Sequence, residues 1–142
     1  MRTQSWIVWS LLSAVFAAAT ALLAKLGVAG VDSNLATAIR TSVVVVFAWG
    51  IALAFNAHRG TSALTGRTWL FLVLSGLATG LSWLCYFRAL QLGPASRVAP
   101  IDKLSVVLVI LLAWPVLGEA ITAPKLLGGA LIAAGAIVLA FA

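Results

Sequence analysis

The sequence contains, at residues 68–87, the uncharged run TWLFLVLSGLATGLSWLCYF. A helix needs about 20 mostly apolar residues to cross the roughly 30 Å hydrocarbon core of a bilayer. Four further uncharged runs lie at residues 3–24, 41–57, 104–118 and 126–142. Apolar residues make up 63% and charged residues 8% of the chain, against about 45–50% and about 25% in a globular domain. The sequence therefore predicts an all-α, polytopic membrane protein with five transmembrane helices.

We expect a single domain over residues 1–142, in which polar and helix-breaking residues separate the spans. Asp32, Ser33 or Asn34 can cap the second helix. Gly93-Pro94 stops the third helix, because proline cannot continue a helical hydrogen-bond ladder. The predicted spans lie near residues 5–29, 34–56, 68–91, 97–117 and 124–142.

The N-terminal segment also has some features of a signal peptide. Met1-Arg2 and Ala19-Thr20-Ala21 loosely fit one. The uncharged run at residues 3–24 is longer than the usual apolar core of about 7–15 residues. We therefore expect a retained transmembrane helix.

The loop charges predict an orientation in the membrane. The side that carries the N-terminus collects Arg2, Arg59, Arg67 and Lys125, whereas Arg97 lies in a loop on the opposite side. The positive-inside rule then places the N-terminus in the cytoplasm. Counting the basic residues inside the spans toward the opposite side removes this bias, so insertion in both orientations stays open. An interfacial aromatic belt on the N-terminal side is expected from Trp6, Trp9, Trp49, Trp69 and Trp114.

Ionisable residues inside the spans are the main candidates for a functional site. A charge deep in lipid costs at least about 2.5–3.5 kcal/mol, so such residues normally face the bundle interior or a wet cavity. At about 1.5 Å per residue they lie in one layer below the outer interface. The candidate substrate-binding residues are Lys25, Arg40, Arg88, Asp102, Lys103 and, near them, Tyr86.

The short side chain of Asp102 cannot reach the interface, and neighbours on a helix point about 100° apart. We therefore expect Asp102 to pair with Arg40 or Lys25 rather than with Lys103. The excess of basic groups favours a solute with a carboxylate or phosphate, or a zwitterion. Snorkelling of the long basic side chains to the interface and a structural salt-bridge cluster are the alternatives.

Other residues are expected to have structural roles. Glu119 can accept hydrogen bonds from the free amides at the start of the last helix. Small residues on the third span (Gly76 and Gly80) and along residues 128–136 allow close helix packing, within the chain or between subunits. The candidate hinge and structural residues are Gly80, Gly93, Pro100, Pro115 and Glu119.

Several function classes do not fit this composition. The net charge of +6 comes from scattered basic residues, so no nucleic-acid partner is expected. One Cys and one His cannot build a His/Cys metal site, and we expect no metal and no cofactor. Three acidic residues and one His provide no recognisable catalytic set, so an enzyme is not expected.

One stretch resembles a known family. Residues 86–101, YFRALQLGPASRVAPI, look like the signature of the EamA domain of the drug/metabolite transporter superfamily. Leu117-Gly118-Glu119, Lys125-Leu126-Leu127-Gly128 and the Gly/Ala-rich last span continue the resemblance, and Ala24-Lys25 and Ala38-Ile39-Arg40 extend it to the N-terminal half. The chain resembles the short five-span members, whereas most members carry two such domains in ten spans of inverted topology.

The resemblance implies a secondary transporter of a small metabolite, such as an exported amino acid, in the bacterial inner membrane. A single domain implies a homodimer, parallel or antiparallel, that works by alternating access and contacts membrane lipid. The first-span Glu of the small multidrug resistance relatives has no counterpart here, so proton-for-cation exchange by that mechanism is not expected. A flippase for a lipid-linked anionic sugar and a non-transporting accessory subunit are the alternatives.

Overall fold

A computed structural model describes residues 5–142. The described residues form six α-helices and no β-strand, and a short 3₁₀ helix, Ala57–Ala63, joins the second helix to the third. Arg2, on which the predicted orientation partly depends, lies outside the described residues, as does Met1. The α-helices are α1 Ser5–Gly27, α2 Ser33–Ala54, α3 Gly66–Leu92, α4 Ala95–Asp102, α5 Ser105–Leu117 and α6 Ala123–Phe141.

Five helical segments of the described chain are long and apolar enough to cross a membrane. They are α1, α2, α3, the pair α4–α5 over Ala95–Leu117, and α6. This confirms the predicted all-α fold with five membrane-spanning segments. The fourth segment differs from its prediction, because it begins two residues earlier and consists of two helices.

The interruption of the fourth span lies at Lys103 and Leu104. Here the backbone replaces several α-helical hydrogen bonds by shorter-range ones: the Leu104 amide donates to Ile101 O (3.0 Å) and the Val106 amide donates to Lys103 O (3.0 Å). Pro100, inside α4, has no amide hydrogen to donate to the preceding turn. The predicted fourth span near residues 97–117 is present, and a short turn of i→i+3 hydrogen bonds after Pro100 divides it into α4 and α5.

The helix ends agree with local sequence signals. The Asp32 carboxylate accepts hydrogen bonds from the Asn34 and Leu35 amides at 2.9 and 3.1 Å, which confirms Asp32 as the cap of α2. Helix α3 ends at Leu92, just before Gly93-Pro94, as predicted. Helix α5 continues past Pro115 to Leu117 and ends at Gly118, whose φ of 71° is a left-handed conformation that suits glycine. Pro115 therefore does not end this helix, and its role as a hinge stays a prediction.

The chain consists of two compact units, and the first comprises residues up to Leu26 together with residues 92–142. Its buried residues are mostly small: Ala21, Ala24, Ala113, Gly129 and Ala136. At Gly129 a Cβ would lie 3.4 Å from Ile110 Cδ1, so α5 and α6 approach closely there. In lipid, small residues of this kind allow such helix contacts. Gly129 and Ala136 of the small-residue stripe are therefore buried within this unit, whereas Gly128 and Gly135 meet open space.

The second unit comprises residues 27–91, and its buried residues are Val28, Ser33, Thr37, Phe87 and Leu90. The Thr37 hydroxyl donates to Ser33 O at 2.7 Å, which satisfies it within the helix. By contrast, the predicted packing motif at Gly76 and Gly80 has open space around both glycines. This face of α3 is therefore unoccupied within the described chain.

Candidate functional site

The helix-break cluster consists of Asp102 and Lys103, beside the turn that separates α4 from α5. Lys103 Nζ lies 3.1 Å from Asp102 Oδ2 and donates a hydrogen bond to it. The Asp102 side chain is 36% exposed and the Lys103 side chain is 57% exposed in the described chain. About 10–12 Å of helix separates them from Ala95. The fourth span thus carries an accessible ion pair beside a turn of i→i+3 hydrogen bonds, in which Lys103 and Leu104 keep right-handed helical dihedral angles.

This ion pair corrects the sequence interpretation of Asp102. We expected a partner on another span, Lys25 or Arg40, because adjacent residues of a helix diverge. Helix α4 ends at Asp102, however, and Lys103 lies in the following turn. The long lysine side chain can therefore fold back to its neighbour, so Asp102 pairs with Lys103 instead.

The aromatic–arginine cluster consists of Arg40 on α2 with Trp83 and Phe87 on α3. Arg40 Cζ lies 4.4 Å from the centroid of the Trp83 ring and 5.4 Å from that of Phe87. Both distances are within the about 6 Å range of cation–π attraction. Tyr86 lies within electrostatic range of Arg40. Two predicted site residues, Arg40 and Tyr86, therefore lie in the same region of the second unit.

Sequence reasoning missed Trp83 and Phe87 as residues of the site. Trp83 is the one tryptophan of the six that does not belong to the predicted interfacial belt. It lies about 13 Å before the end of α3, where an interfacial role does not explain it. The position of Trp83 outside the interfacial belt could therefore have marked it as a site residue. A single phenylalanine in an apolar span, such as Phe87, carries no comparable signal in the sequence.

Lys25 has a structural contact in the first unit. Its Nζ donates a hydrogen bond to Gly93 O at 2.9 Å. Gly93 directly follows the last residue of α3, where carbonyl groups lack helical partners. Lys25 therefore satisfies a helix-end carbonyl, and only about 3 Å of helix separates it from the end of α1. This position is shallower than the sequence predicted, because α1 ends at Gly27 rather than at residue 29.

Arg88 belongs to a group of hydrogen bonds that we call the Gln91 clamp, formed by Arg88, Gln91 and Val31. Arg88 Nη1 donates to Gln91 Oε1 at 2.9 Å, and Gln91 Nε2 donates to Val31 O at 2.5 Å. The clamp joins the end of α3 to the segment before α2. Arg88 therefore has a structural partner in Gln91. The predicted role of Arg88 in binding a solute stays a prediction.

Glu119 contacts a side chain rather than helix amides. Its Oε2 lies 3.2 Å from Lys125 Nζ, which also donates to Ala120 O at 3.0 Å. Thr122, the cap residue of α6, makes no side-chain cap hydrogen bond. The prediction that Glu119 caps the last helix is wrong in its contacts: the long Lys125 side chain reaches the carboxylate across the first turn.

The described residues therefore contain two clusters of predicted site residues, one in each compact unit. They contain no group of three or more metal-ligating side chains. An arginine guanidinium can bind oxoanions through charge-assisted hydrogen bonds, and discontinuous spans form the binding sites of many secondary transporters. Ionisable side chains inside spans commonly mark the solute pathways of membrane transport proteins.

Comparison with known proteins agrees with this class. The model of the EamA-like transporter family matches residues 4–141. An uncharacterized transporter in the cobO 3' region of Sinorhizobium sp is 55% identical over 138 residues, which cover 97% of this chain and 98% of the relative. No solved structure matches the chain.

The chain belongs to the EamA-like transporter family, and it is a multi-pass membrane protein. The family and the relative point to a transporter rather than to an enzyme. The resemblance drawn from residues 86–101 is therefore confirmed. The individual roles of Lys25, Arg40, Tyr86, Arg88, Asp102 and Lys103 stay predictions.

Proposed function

We propose that the protein is a secondary transporter of a small anionic or zwitterionic metabolite, such as an amino acid, and that it exports this solute across the bacterial inner membrane. One observation carries the proposal: the fourth span is interrupted beside Asp102 and Lys103. A stretch of i→i+3 hydrogen bonds inside a helix often marks a functional hinge, and broken helices at membrane depth are tolerated where protein covers them or where they line a water-filled cavity. Discontinuous spans commonly form the binding sites of secondary transporters.

The exposure of the helix-break cluster supports a wet path rather than a covered one. Lys103 is more than half exposed and Asp102 about one-third exposed. Exposure to hydrocarbon would cost at least about 2.5–3.5 kcal/mol per charge. A water-filled path next to the break avoids that cost. We propose that both residues line this path, with Pro100 allowing the break to change shape during alternating access.

We further propose that the transporter works as a homodimer. Gly76 and Gly80 lie four residues apart on α3, and neither has an atom near its Cβ position within the described chain. Closely approaching membrane helices use such pairs of small residues. A second copy would cover this face. Cross-linking between Cys residues introduced at both ends of α3 distinguishes a parallel pair, which links like ends, from an antiparallel pair, which links opposite ends.

Transport in proteoliposomes tests the function directly. Purified protein is reconstituted and a panel of radiolabelled amino acids and other small metabolites is assayed for counterflow. We expect at least one anionic or zwitterionic metabolite to exchange faster than in protein-free vesicles. Arg97→Gln, which removes one exposed basic side chain, is the control for Asp102→Asn. Absence of any flux, together with stable co-purification of another membrane protein, would favour an accessory subunit instead.

A further inference from the structure

The position of the Arg40 guanidinium argues against snorkelling. Arg40 lies about 10 Å inside the start of α2. Its guanidinium contacts Trp83 and Phe87, which lie about 13 and 8 Å before the end of α3. The charged head therefore stays at the depth of its own backbone instead of extending to the interface. Phe87 is only 3% exposed, so one of its two aromatic supports is fully packed.

Stacking on rings leaves the hydrogen-bonding capacity of Arg40 unused. A guanidinium has five N–H donors that point outward in its plane. A cation–π contact attracts the positive charge to the ring face and does not replace hydrogen-bond acceptors for these donors. Among residues 5–142, Arg40 donates no hydrogen bond to an acceptor and forms no ion pair with a carboxylate. The two ion pairs of the described chain use Lys103 and Lys125 instead. The N–H donors of Arg40 are therefore available to water or to an anion from outside the protein.

We propose that Arg40 is the carboxylate-binding residue for the transported solute and that Trp83 is the residue that positions its guanidinium. This inference rests on the proposed transport function and names its substrate class, a small carboxylate. Arginine binds a carboxylate through two parallel N–H···O bonds, and this geometry requires a fixed guanidinium plane. The contacts of Arg40 Cζ with the rings of Trp83 and Phe87 restrict the movement of the guanidinium. A lipid phosphate presents similar oxygens, so the experiment separates the two sources.

Iodide quenching of Trp83 fluorescence tests anion binding without knowledge of the solute. The contribution of Trp83 is the difference between the native protein and Trp83→Phe, both in maltoside micelles. An anion held by Arg40 lies next to this ring, so iodide should quench Trp83 strongly, and Arg40→Gln should lower its quenching constant severalfold. Arg67, which lies 5.8 Å from Phe71, provides the matched control. Arg67→Gln removes the same charge and should leave the constant unchanged.

Two additions identify the anion that the site accepts. At constant ionic strength, acetate should protect Trp83 from iodide, and acetamide, its uncharged analogue, should not. Phosphatidylglycerol added to the micelles supplies the lipid phosphate. Protection by the lipid without protection by acetate would overturn the carboxylate assignment. An iodide constant that is equal in the native protein and in Arg40→Gln would overturn the site itself.

The positioning role of Trp83 has its own readout, thermal stabilisation by acetate relative to acetamide in each variant. We expect Trp83→Leu to weaken acetate binding about 2- to 30-fold, the range that corresponds to loss of a cation–π contact. Trp83→Phe keeps an aromatic face and should retain most of the binding. Equal binding in Trp83→Leu and the native protein would contradict the positioning role, since a merely structural tryptophan gives no such difference between Leu and Phe.

These results are separable from the transport assay. Anion binding at Arg40 without solute flux would count against the proposed function and leave the site in place. Flux that is equal in the native protein and in Arg40→Gln would count against the site and leave the function in place.

Discussion

Replacing Gln91 with Leu tests whether the Gln91 clamp holds the second unit together. The substitution keeps a similar volume and removes two hydrogen bonds, one from Arg88 Nη1 at 2.9 Å and one to Val31 O at 2.5 Å. Side-chain hydrogen bonds in membrane proteins contribute about 0.6 kcal/mol on average and about 1.7 kcal/mol at most. We therefore expect Gln91→Leu to lower the free energy of unfolding by about 1–3 kcal/mol.

The assay is equilibrium unfolding by SDS titration in mixed micelles, followed by far-ultraviolet circular dichroism. Arg88→Leu removes one of the two bonds and should cost about half as much. The double variant should cost less than the sum of the single variants, because both single changes break the same Arg88–Gln91 bond. Arg97→Gln, at an exposed position, should stay within about 0.5 kcal/mol of the native protein. Unchanged stability in Gln91→Leu, or strict additivity in the double variant, would refute the reasoning.

Three further substitutions have expected outcomes. Asp32→Ala should lower the free energy of unfolding by about 1 kcal/mol in the same titration, because the α2 cap is lost. Asp32→Asn should keep most of the stability of the native protein, because asparagine also caps helices. Gly129→Leu should cost about 1–3 kcal/mol by overpacking against α5, and Gly128→Leu, which meets open space, should cost clearly less. Asp102→Asn should slow counterflow more than Arg97→Gln, since it leaves Lys103 without its ion-pair partner; equal rates would contradict the role of Asp102.

Much of the fold follows from local properties of the sequence. The length of an apolar run decides whether a segment can cross the bilayer, so five spans were predictable from composition alone. The Asp32 cap and the stop at Gly93-Pro94 were also predictable, because they depend on the hydrogen-bonding chemistry of one or two residues. Such features need no knowledge of tertiary contacts.

The contacts of the site were less predictable. The ion pair of Asp102 depends on where α4 ends, and Pro100 and Pro115 look alike in sequence although the break follows Pro100. The contact between Arg40 and Trp83 depends on how α2 and α3 face each other, which no local signal specifies. Likewise, the Glu119 carboxylate could bind helix amides or Lys125, and the sequence does not distinguish the two. The structure shows the contact with Lys125, whose long side chain reaches the carboxylate.

The central claim is that the interrupted fourth span lines a water-filled path, and thiol accessibility tests it most directly. In a Cys85→Ser background, which removes the single native cysteine, Leu104→Cys places a thiol at the break and Leu108→Cys places one a helical turn further along α5. A membrane-impermeant, water-soluble thiol reagent is applied to both variants in vesicles of mixed orientation. We expect Leu104→Cys to react quickly and Leu108→Cys to stay unmodified. Equal inertness of the two positions would contradict a water-filled path at the break.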